Sequence, residues 1–378
     1  MEKNNKNLNV PHLRFPEFSG EWEKCTIGDF GNIITGNTPP TADEENYANG
    51  THLWASPADL GATKYIESTQ TLLSDKGFDK TRAFPAHSIL VTCIGSTIGK
   101  IGMSKSAMAS NQQINTIVPI RHDANFVYYA VQSRFPRYLS SIAVQAVPIL
   151  SKSAFEKLDN FTTSKEEQIK IGNFLALIDE RIDTQRKIIE KYESLIRGLY
   201  HSCFCNSEST TTKLSDVVTI VKGKQVNGEN LLENGQYYVM NGGIEPSGYL
   251  NEYNTPADTI SISEGGNSCG YVQYNKEPFW SGGHCYSLMP KSENICYRFL
   301  YHFLKYKEND IMALRIGSGL PNVQKKDLER FEIQLPSLER QVEVTTLLDT
   351  ISAKRDLERH LHHVWQSQKE YLLGGIFI

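Results

Sequence analysis

The sequence predicts an α+β fold: two β-rich globular domains in tandem repeat, separated by two long helices that form an antiparallel coiled coil. Three observations predict it. The two halves match collinearly, each half opens on short apolar runs broken by Gly, Asn, Ser and Thr turns, and each closes on a long stripe of apolar residues at helical spacing.

At 378 residues the chain exceeds one ordinary domain. An apolar fraction of 39% places it among folded chains. No apolar run approaches the ~20 residues of a membrane helix. The opening Met1–Val10 is polar and lacks the apolar core of a signal peptide, so a cytoplasmic protein is expected. The seven cysteines are an odd number without CxxC spacing, which argues against a disulfide framework or a zinc site. Cys203 and Cys205 would supply half a metal site, with no partner pair. The net charge of −4 is unlike that of a small module binding DNA alone. Any DNA contact then needs local basic loops and a partner that shares the phosphate load.

The repeat aligns Gly95 with Gly266, Gly99 with Gly270, Ile101 with Val272, Ser110 with Ser281 and Pro119 with Pro290. Ile27-Gly28-Asp29 with Gly36 answers to Leu214-Ser215-Asp216 with Gly223. Pro148, Lys152 and Phe155 answer to Pro321, Lys325 and Leu328, and Gln168, Leu175 and Ile178 to Gln341, Leu348 and Ile351. The low identity predicts a shared fold with different ligands.

The first helix opens at Ser164, which with Glu167 has the capping-box spacing. Its seam is Ile171, Leu175, Ile178, Ile182, Gln185, Ile189, Tyr192, Ile196 and Leu199, with Gln185 as the polar position that sets register. A surface helix on a globular core would show a broader, shorter stripe. The second helix begins near Ser337, after Pro336. Its stripe is Val344, Leu347, Leu348, Ile351, Leu357, Leu361, Val364, Trp365, Tyr371 and Leu372. A short polar linker, Cys205 to Lys213, leads from the first helix into the second β-rich part. If chain entry and exit share one end of that part, the helices run antiparallel. Roughly 35 helical residues span on the order of 50 Å, more than one ~34 Å turn of B-DNA. The expected segments are 1–163, 164–204, 205–335 and 336–378.

The run Val10-Pro11-His12-Leu13-Arg14-Phe15-Pro16-Glu17-Phe18, with Gly20, Glu21 and Trp22, resembles the opening of type I restriction–modification specificity subunits. So do the junctions Glu166-Glu167-Gln168-Ile169, running on to Leu177-Ile178-Asp179, and Pro336-Ser337-Leu338-Glu339-Arg340-Gln341. The second departs from the pattern with Ser352 where the first has Asp179. The resemblance covers the whole chain. It implies two target-recognition domains, each reading one half of a bipartite double-stranded DNA target, and helices that fix the spacer and dock two methyltransferase subunits. It also implies S-adenosylmethionine in the methyltransferase, ATP and magnesium in a separate motor–nuclease, no cofactor in this chain, and no catalysis by it.

The residues agree with a non-catalytic role. No adenine-methylation motif such as Asn-Pro-Pro-Tyr occurs. Gly95-Ser96-Thr97-Ile98-Gly99-Lys100-Ile101 is one residue short of a phosphate loop and lacks the Ser or Thr after the lysine, so it reads as a turn. His360, His362 and His363 lack the zinc-protease spacing and read as a solvated face. His284 and Cys285 point to opposite faces of a strand and cannot act as a base–nucleophile pair. Asp29 and Asp216 read as turn formers.

Base edges are read by Arg, Lys, Asn and Gln, and phosphates are held by Lys, Arg, Ser and Thr. The DNA-contact candidates in the first half are Asn37, Ser56, Lys64, Ser96, Thr97, Lys100, the polar run Ser110-Asn111-Gln112-Gln113, and Lys152. Those in the second are Lys222, Lys224, Gln225, Asn241, Asn267 and Lys325. Gly242, Gly243, Gly265 and Gly266 would let backbone approach DNA, and equally suit hairpin turns. Each candidate also fits an ordinary surface turn. The competing reading from another class is a protein scaffold that bridges partners through two β-rich modules. A duplicated enzyme would instead repeat catalytic acids or nucleophiles at matched positions, and the pair Asp29 and Asp216 read as turn formers.

Overall fold

The computed structural model describes residues 9–141, 148–205, 209–291, 295–317, 319 and 321–378. Most of the polar opening and linker residues 206–208 fall outside them. The chain divides into two units, Met1–Lys187 with Arg359–Ile378, and Ile188–Glu358.

The first unit's strands are β1 (Glu23–Thr26), β2 (Gly31–Thr35), β3 (His52–Ala55), β4 (Tyr65–Ile66), β5 (Thr71–Leu73), β6 (Ile89–Thr92), β7 (Ile101–Ser104), β8 (Ala109–Ser110), β9 (Ile114–Pro119) and β10 (Asp159–Thr162). Its helices are α1 (Asp75–Phe78), α2 (Ala124–Ser141), α3 (Lys152–Glu156) and the first part of α4 (Lys165–Cys205). The main sheet has five strands in the order β2-β9-β6-β7-β4, beside a three-stranded sheet β5-β3-β8 and the pair β1-β10. Strand β6 is buried on both faces. Ile89 and Val91 meet Phe126, Tyr129 and Phe155 in the large core, while Leu90 points the other way onto Leu60, Phe84 and Met108.

The second unit repeats the plan with β11 (Thr210–Lys213), β12 (Val218–Lys222), β13 (Tyr237–Met240), β14 (Tyr249–Leu250), β15 (Thr259–Ser263), β16 (Val272–Asn275), β17 (Trp280–Ser281), β18 (Cys285–Pro290) and β19 (Glu332–Leu335). Its helices are α5 (Leu214–Val217), α6 (Tyr297–Tyr306), α7 (Glu308–Ala313), α8 (Lys325–Arg330), the end of α4 and the start of α9 (Leu338–Ile376). Its sheet order is β12-β18-β15-β16. The register repeats too: Val91 faces Asn115 in the first unit, as Ile262 faces Tyr286 in the second.

The matched aspartates are caps. Asp29 Oδ2 accepts from the Thr26 amide at 2.7 Å, and Asp216 Oδ2 from the Lys213 amide at 3.1 Å. Hydrogen bonds from Thr26 lower the pKa of Asp29, and those from Thr212 and Lys213 lower that of Asp216.

Helices α2 and α6 fall where the sequence suggested only β-leaning structure. Phe126 to Val131 is an unbroken buried run, and such a run carries no periodicity that separates a core helix from a strand.

Helix α4 has 41 residues and α9 has 39. On α4 the expected seam faces inward: Ile171, Leu175, Ile178, Gln185 and Ile196 are buried, and Ile182, Ile189, Tyr192 and Leu199 are half-buried. Ile171, Leu175 and Ile178 also enter the first unit's globular core, so this end of the seam is more than a two-helix contact. Within that unit the helices run antiparallel. Asp179 Oδ1 pairs with Lys369 Nζ at 2.6 Å, and Arg181, further along α4, lies over Trp365, earlier on α9. On α9, Ile351 and Leu361 are half-buried, but Leu347 is 43% exposed, as are Leu357, Val364 and Tyr371 in larger measure or equal. Leu347 therefore leaves the seam. Gln341, Val344, Thr345 and Leu348 occupy the inward face instead.

The capping box is only half formed. Ser164 Oγ accepts from the Glu167 amide, while the Glu167 carboxylate turns away to Arg14, with both oxygens bonded at 2.8 Å.

Candidate functional site

In both units four loops meet at one end of the main sheet. After the first sheet strand, Gly36 N donates to Ile114 O and Asn37 N to Ser110 O. In the second unit, Gly223 N donates to Cys285 O and Lys224 N to Ser281 O. After the central strand, Gly95 N donates to Pro148 O, and Gly266 N to Pro321 O. Gly95 and Gly266 have φ of +99° and +78°, a region that strains other residues, which explains their matched identity. The same backbone thus presents Asn37 in one unit and Lys224 in the other.

The structure sorts the expected DNA-contact residues. Ser96, Lys100 and Gln112 are exposed on the first unit's loops, with Thr97 and Gln113 half-buried beside them. Gln112 Oε1 accepts from Thr38 Oγ1 at 2.6 Å, and Gln113 Nε2 donates to Ile94 O at 3.4 Å. Lys224, Gln225 and Asn267 are exposed on the second unit's loops. Lys152 and Lys325 open α3 and α8 at equivalent places, exposed, each with a glutamate four residues on at 3.6 and 3.8 Å.

Four candidates are corrected. Lys64 is 5% exposed, with Nζ donating to Asn125 Oδ1 at 2.7 Å and Tyr129 OH at 3.1 Å, so it is part of the core. Burial pushes its pKa down to about 8. Asn111 is buried, and its side chain holds Gln113 from both sides. Ser56 Oγ donates to Asp59 within a cap. The Asn37 side chain bridges Lys80 O and the Arg82 amide. These last three shape loops rather than offer free donors.

A cleft of about 710 Å³ opens among the second unit's loops, lined by Lys222, Asn241, Gly242, Glu264, Asn267 and His284. Asn241 Oδ1 accepts from the His284 amide at 3.1 Å. Glu264 and His284 were not among the sequence candidates. Glu264 sits in Ser-Glu-Gly-Gly, which reads as a turn, and only the fold shows it facing Lys222 from another strand. Cys203 is buried and Cys205 exposed on α4, where Cys205 meets His201 and Tyr306. Among the described residues no group of three or more His, Cys, Asp or Glu side chains is placed to hold a metal ion, and no helix is long and apolar enough to cross a membrane.

A model of the type I restriction modification DNA specificity domain matches residues 19–194 and 206–364. A putative type I specificity subunit of Mycoplasma genitalium is 30% identical over 217 residues, 53% of this chain and 57% of the relative, so the match spans little over half of that protein. The MjaVIII type I restriction enzyme specificity subunit of Methanocaldococcus jannaschii is 25% identical over 395 aligned positions, covering 92% of this chain and 89% of the relative. A crystal structure of a type I restriction–modification S subunit from M. genitalium shares the fold, with TM-score 0.74, 23% identity and coverage of 98% and 99%. Since both repeats are matched in full sequence order, the chain belongs to the family of type I restriction modification DNA specificity domains.

Proposed function

We propose that this chain is the non-catalytic DNA-address subunit of a type I restriction–modification assembly, and that each unit's loop cluster reads one half of a split double-stranded target. One observation carries this reading: the two units hold the same loops with the same backbone hydrogen bonds and offer different side chains, Ser96 against Asn267 and Lys100 against Tyr271. Conserved scaffold with altered tips is what two different half-sites require. Segments 1–163 and 205–335 serve as exchangeable recognition domains, and 164–204 and 336–378 set the spacer.

The long helices also offer matched apolar faces. Ile169 and Phe174 are 41% and 36% exposed at the start of α4, and Val342 and Leu347 are 51% and 43% exposed at the start of α9. Two copies of one face suit two copies of one partner, the methyltransferase, which carries S-adenosylmethionine. A motor–nuclease with ATP and magnesium completes the assembly in the cytoplasm. With the methyltransferases sharing phosphate contacts, a chain of charge −4 binds DNA weakly alone and tightly once assembled.

The test is methylome sequencing of a host lacking other methyltransferases that expresses this chain with its methyltransferase partner. Methyl-adenine at one split motif, lost without this chain, is the expected result. Replacing residues 212–331 by another second domain then changes one half of the motif only. Folded, co-purifying subunits that leave DNA unmethylated would overturn the reading in favour of a scaffold.

A further inference from the structure

Glu264 is a carboxylate where the fold does not need one. Its amide donates to His284 O, as Cys93 donates to Gln113 O at the same place in the first unit. There a neutral, buried thiol suffices. Glu264 is only 9% exposed, and burying a carboxylate is costly unless its oxygens are engaged. Oε1 accepts from Lys222 Nζ at 2.7 Å and from Tyr286 OH at 2.9 Å. Oε2 is buried with no hydrogen-bond partner, and His284 Nδ1 stands 3.6 Å from it.

The two neighbours of this carboxylate are open to solvent. The side chains of Lys222 and His284 are 52% and 59% exposed and stand on the wall of the second unit's cleft. Because Nδ1 of the imidazole faces Glu264, its other nitrogen points away from it. Gly243 and Gly266 leave the adjoining walls without side chains, and a Cβ on Gly266 would meet nothing within 4 Å. A buried carboxylate thus anchors Lys222, with His284 alongside it, at the rim of an open, glycine-walled cleft.

We propose that Lys222, held by Glu264, and His284 beside it form a donor pair that takes acceptor atoms of duplex DNA: guanine O6 and N7 on the major-groove edge, or a backbone phosphate. Glu264 is the positioning residue. The inference rests on the DNA-address reading and adds the chemistry that the second unit recognises. The first unit has no equivalent: Thr35 Oγ1 and Asn115 Oδ1 are bonded to each other there, and Gln113 is tied to the backbone.

The experiment uses the full chain with its methyltransferase partner and compares wild type with Lys222→Met, His284→Ala and Glu264→Gln by methylome sequencing and by DNA titration at several salt concentrations. Circular dichroism confirms that each variant is folded before it is compared, because Lys222→Met leaves the Glu264 carboxylate with Tyr286 OH alone. If the pair reads guanine, either variant loses on the order of 10- to 100-fold of discrimination at one position of one half-motif, while the other half stays intact. If it grips phosphate, the motif is unchanged, affinity falls evenly across sequences, and the salt slope falls by about one for Lys222→Met. Glu264→Gln reproduces whichever effect is seen, and Lys222→Arg restores it. An unchanged motif together with unchanged affinity in Lys222→Met and His284→Ala, in an assembly whose wild type methylates a split motif, overturns the inference alone. Absence of methylation by the wild type overturns the DNA-address reading as well.

Discussion

At the start of its long helix, the first unit buries a carboxylate where the second exposes a guanidinium. Glu167 and Arg340 occupy the same place in the junction motif. Glu167 is 1% exposed and doubly bonded to Arg14, whereas Arg340 lies in solvent beside Glu343. The difference follows from what covers each junction. Residues 9–22 lie over the first: Leu13 N donates to Gly375 O, Phe15 packs edge-on against Phe174 at 5.7 Å, and Trp22 enters the core. A second contrast lies under α2 and α6. Tyr129 OH donates to Asp179 at 2.5 Å, while its counterpart His302 bonds Asp349 at 2.8 Å together with Arg298. The carboxylate has moved by nearly one helical turn, with Ser352 left in the place of Asp179, yet stays on the same helix face. Evolution of the repeat has kept the requirement that a polar group on the covering helix be satisfied, and has not kept the residue that satisfies it.

The largest break in this comparison should come from Arg14→Ala. It strands the Glu167 carboxylate, and removing one partner of a buried pair costs about 3–5 kcal/mol. Amide hydrogen exchange should quicken in the first unit and not in the second. Gln168→Ala and Gln341→Ala should be equal to each other and smaller. Gln168 bridges Thr163 O and the Asp123 amide, and Gln341 bridges Pro336 O and the Cys296 amide. Losing these leaves buried groups unpaired at about 1–3 kcal/mol in each case, read by urea denaturation. A pair of unequal losses would show that the junctions are less alike than their geometry.

Acid should act on the second unit through Asp349. Burial raises its pKa, but hydrogen bonds from His302 and Arg298 outweigh that and hold it at about 2. Its unfolded value is about 3.9, so its contribution is present above pH ~4 and is lost as the pH falls towards ~2. Asp349→Asn should flatten this part of the second unit's acid unfolding curve and cost on the order of 1 kcal/mol at neutral pH, since the pair is partly solvated. The smallest effect on stability, within about 0.5 kcal/mol, is expected for Leu177→Asp at a side chain 64% exposed. Leu177 lies three residues beyond Phe174 on α4, so on the docking proposed above the effect of its substitution on assembly should be large, with less methyltransferase retained by native mass measurement.

The duplication was legible because it left matched glycines, prolines and helix seams, all of which report backbone and core. Gly95 and Gly266 were visible as a pair because a positive φ selects glycine. Helix α2 was not legible, since a continuous buried run has no polar face to give it a period, and α6, with Arg298 and Lys305 on its open face, is too short at 10 residues to set a period apart from its β-leaning flanks. Lys64 was misread because sequence alone cannot tell a lysine on a loop tip from one folded under aromatic rings; here Nζ lies 4.6 Å from the Tyr129 ring. Leu347 was misread because α9 carries apolar residues on two faces, one for its neighbours and one left open. Glu264 escaped notice because its partners come from residues 222, 284 and 286, brought together only by the pairing of β12, β18 and β15.

The first unit's core holds Leu373, Ile376 and Phe377 beside Trp22 and Phe126. Ile188–Glu358 must be synthesised between the two parts of that unit. At about 5–20 residues per second, this imposes a wait on the order of ten to thirty seconds, during which the nascent first unit carries an unfilled apolar face. The second unit is contiguous and meets no such delay. The first unit synthesised is therefore not completed first, and a chain truncated before residue 373 would hold every residue of the second unit while leaving the first unit's core open.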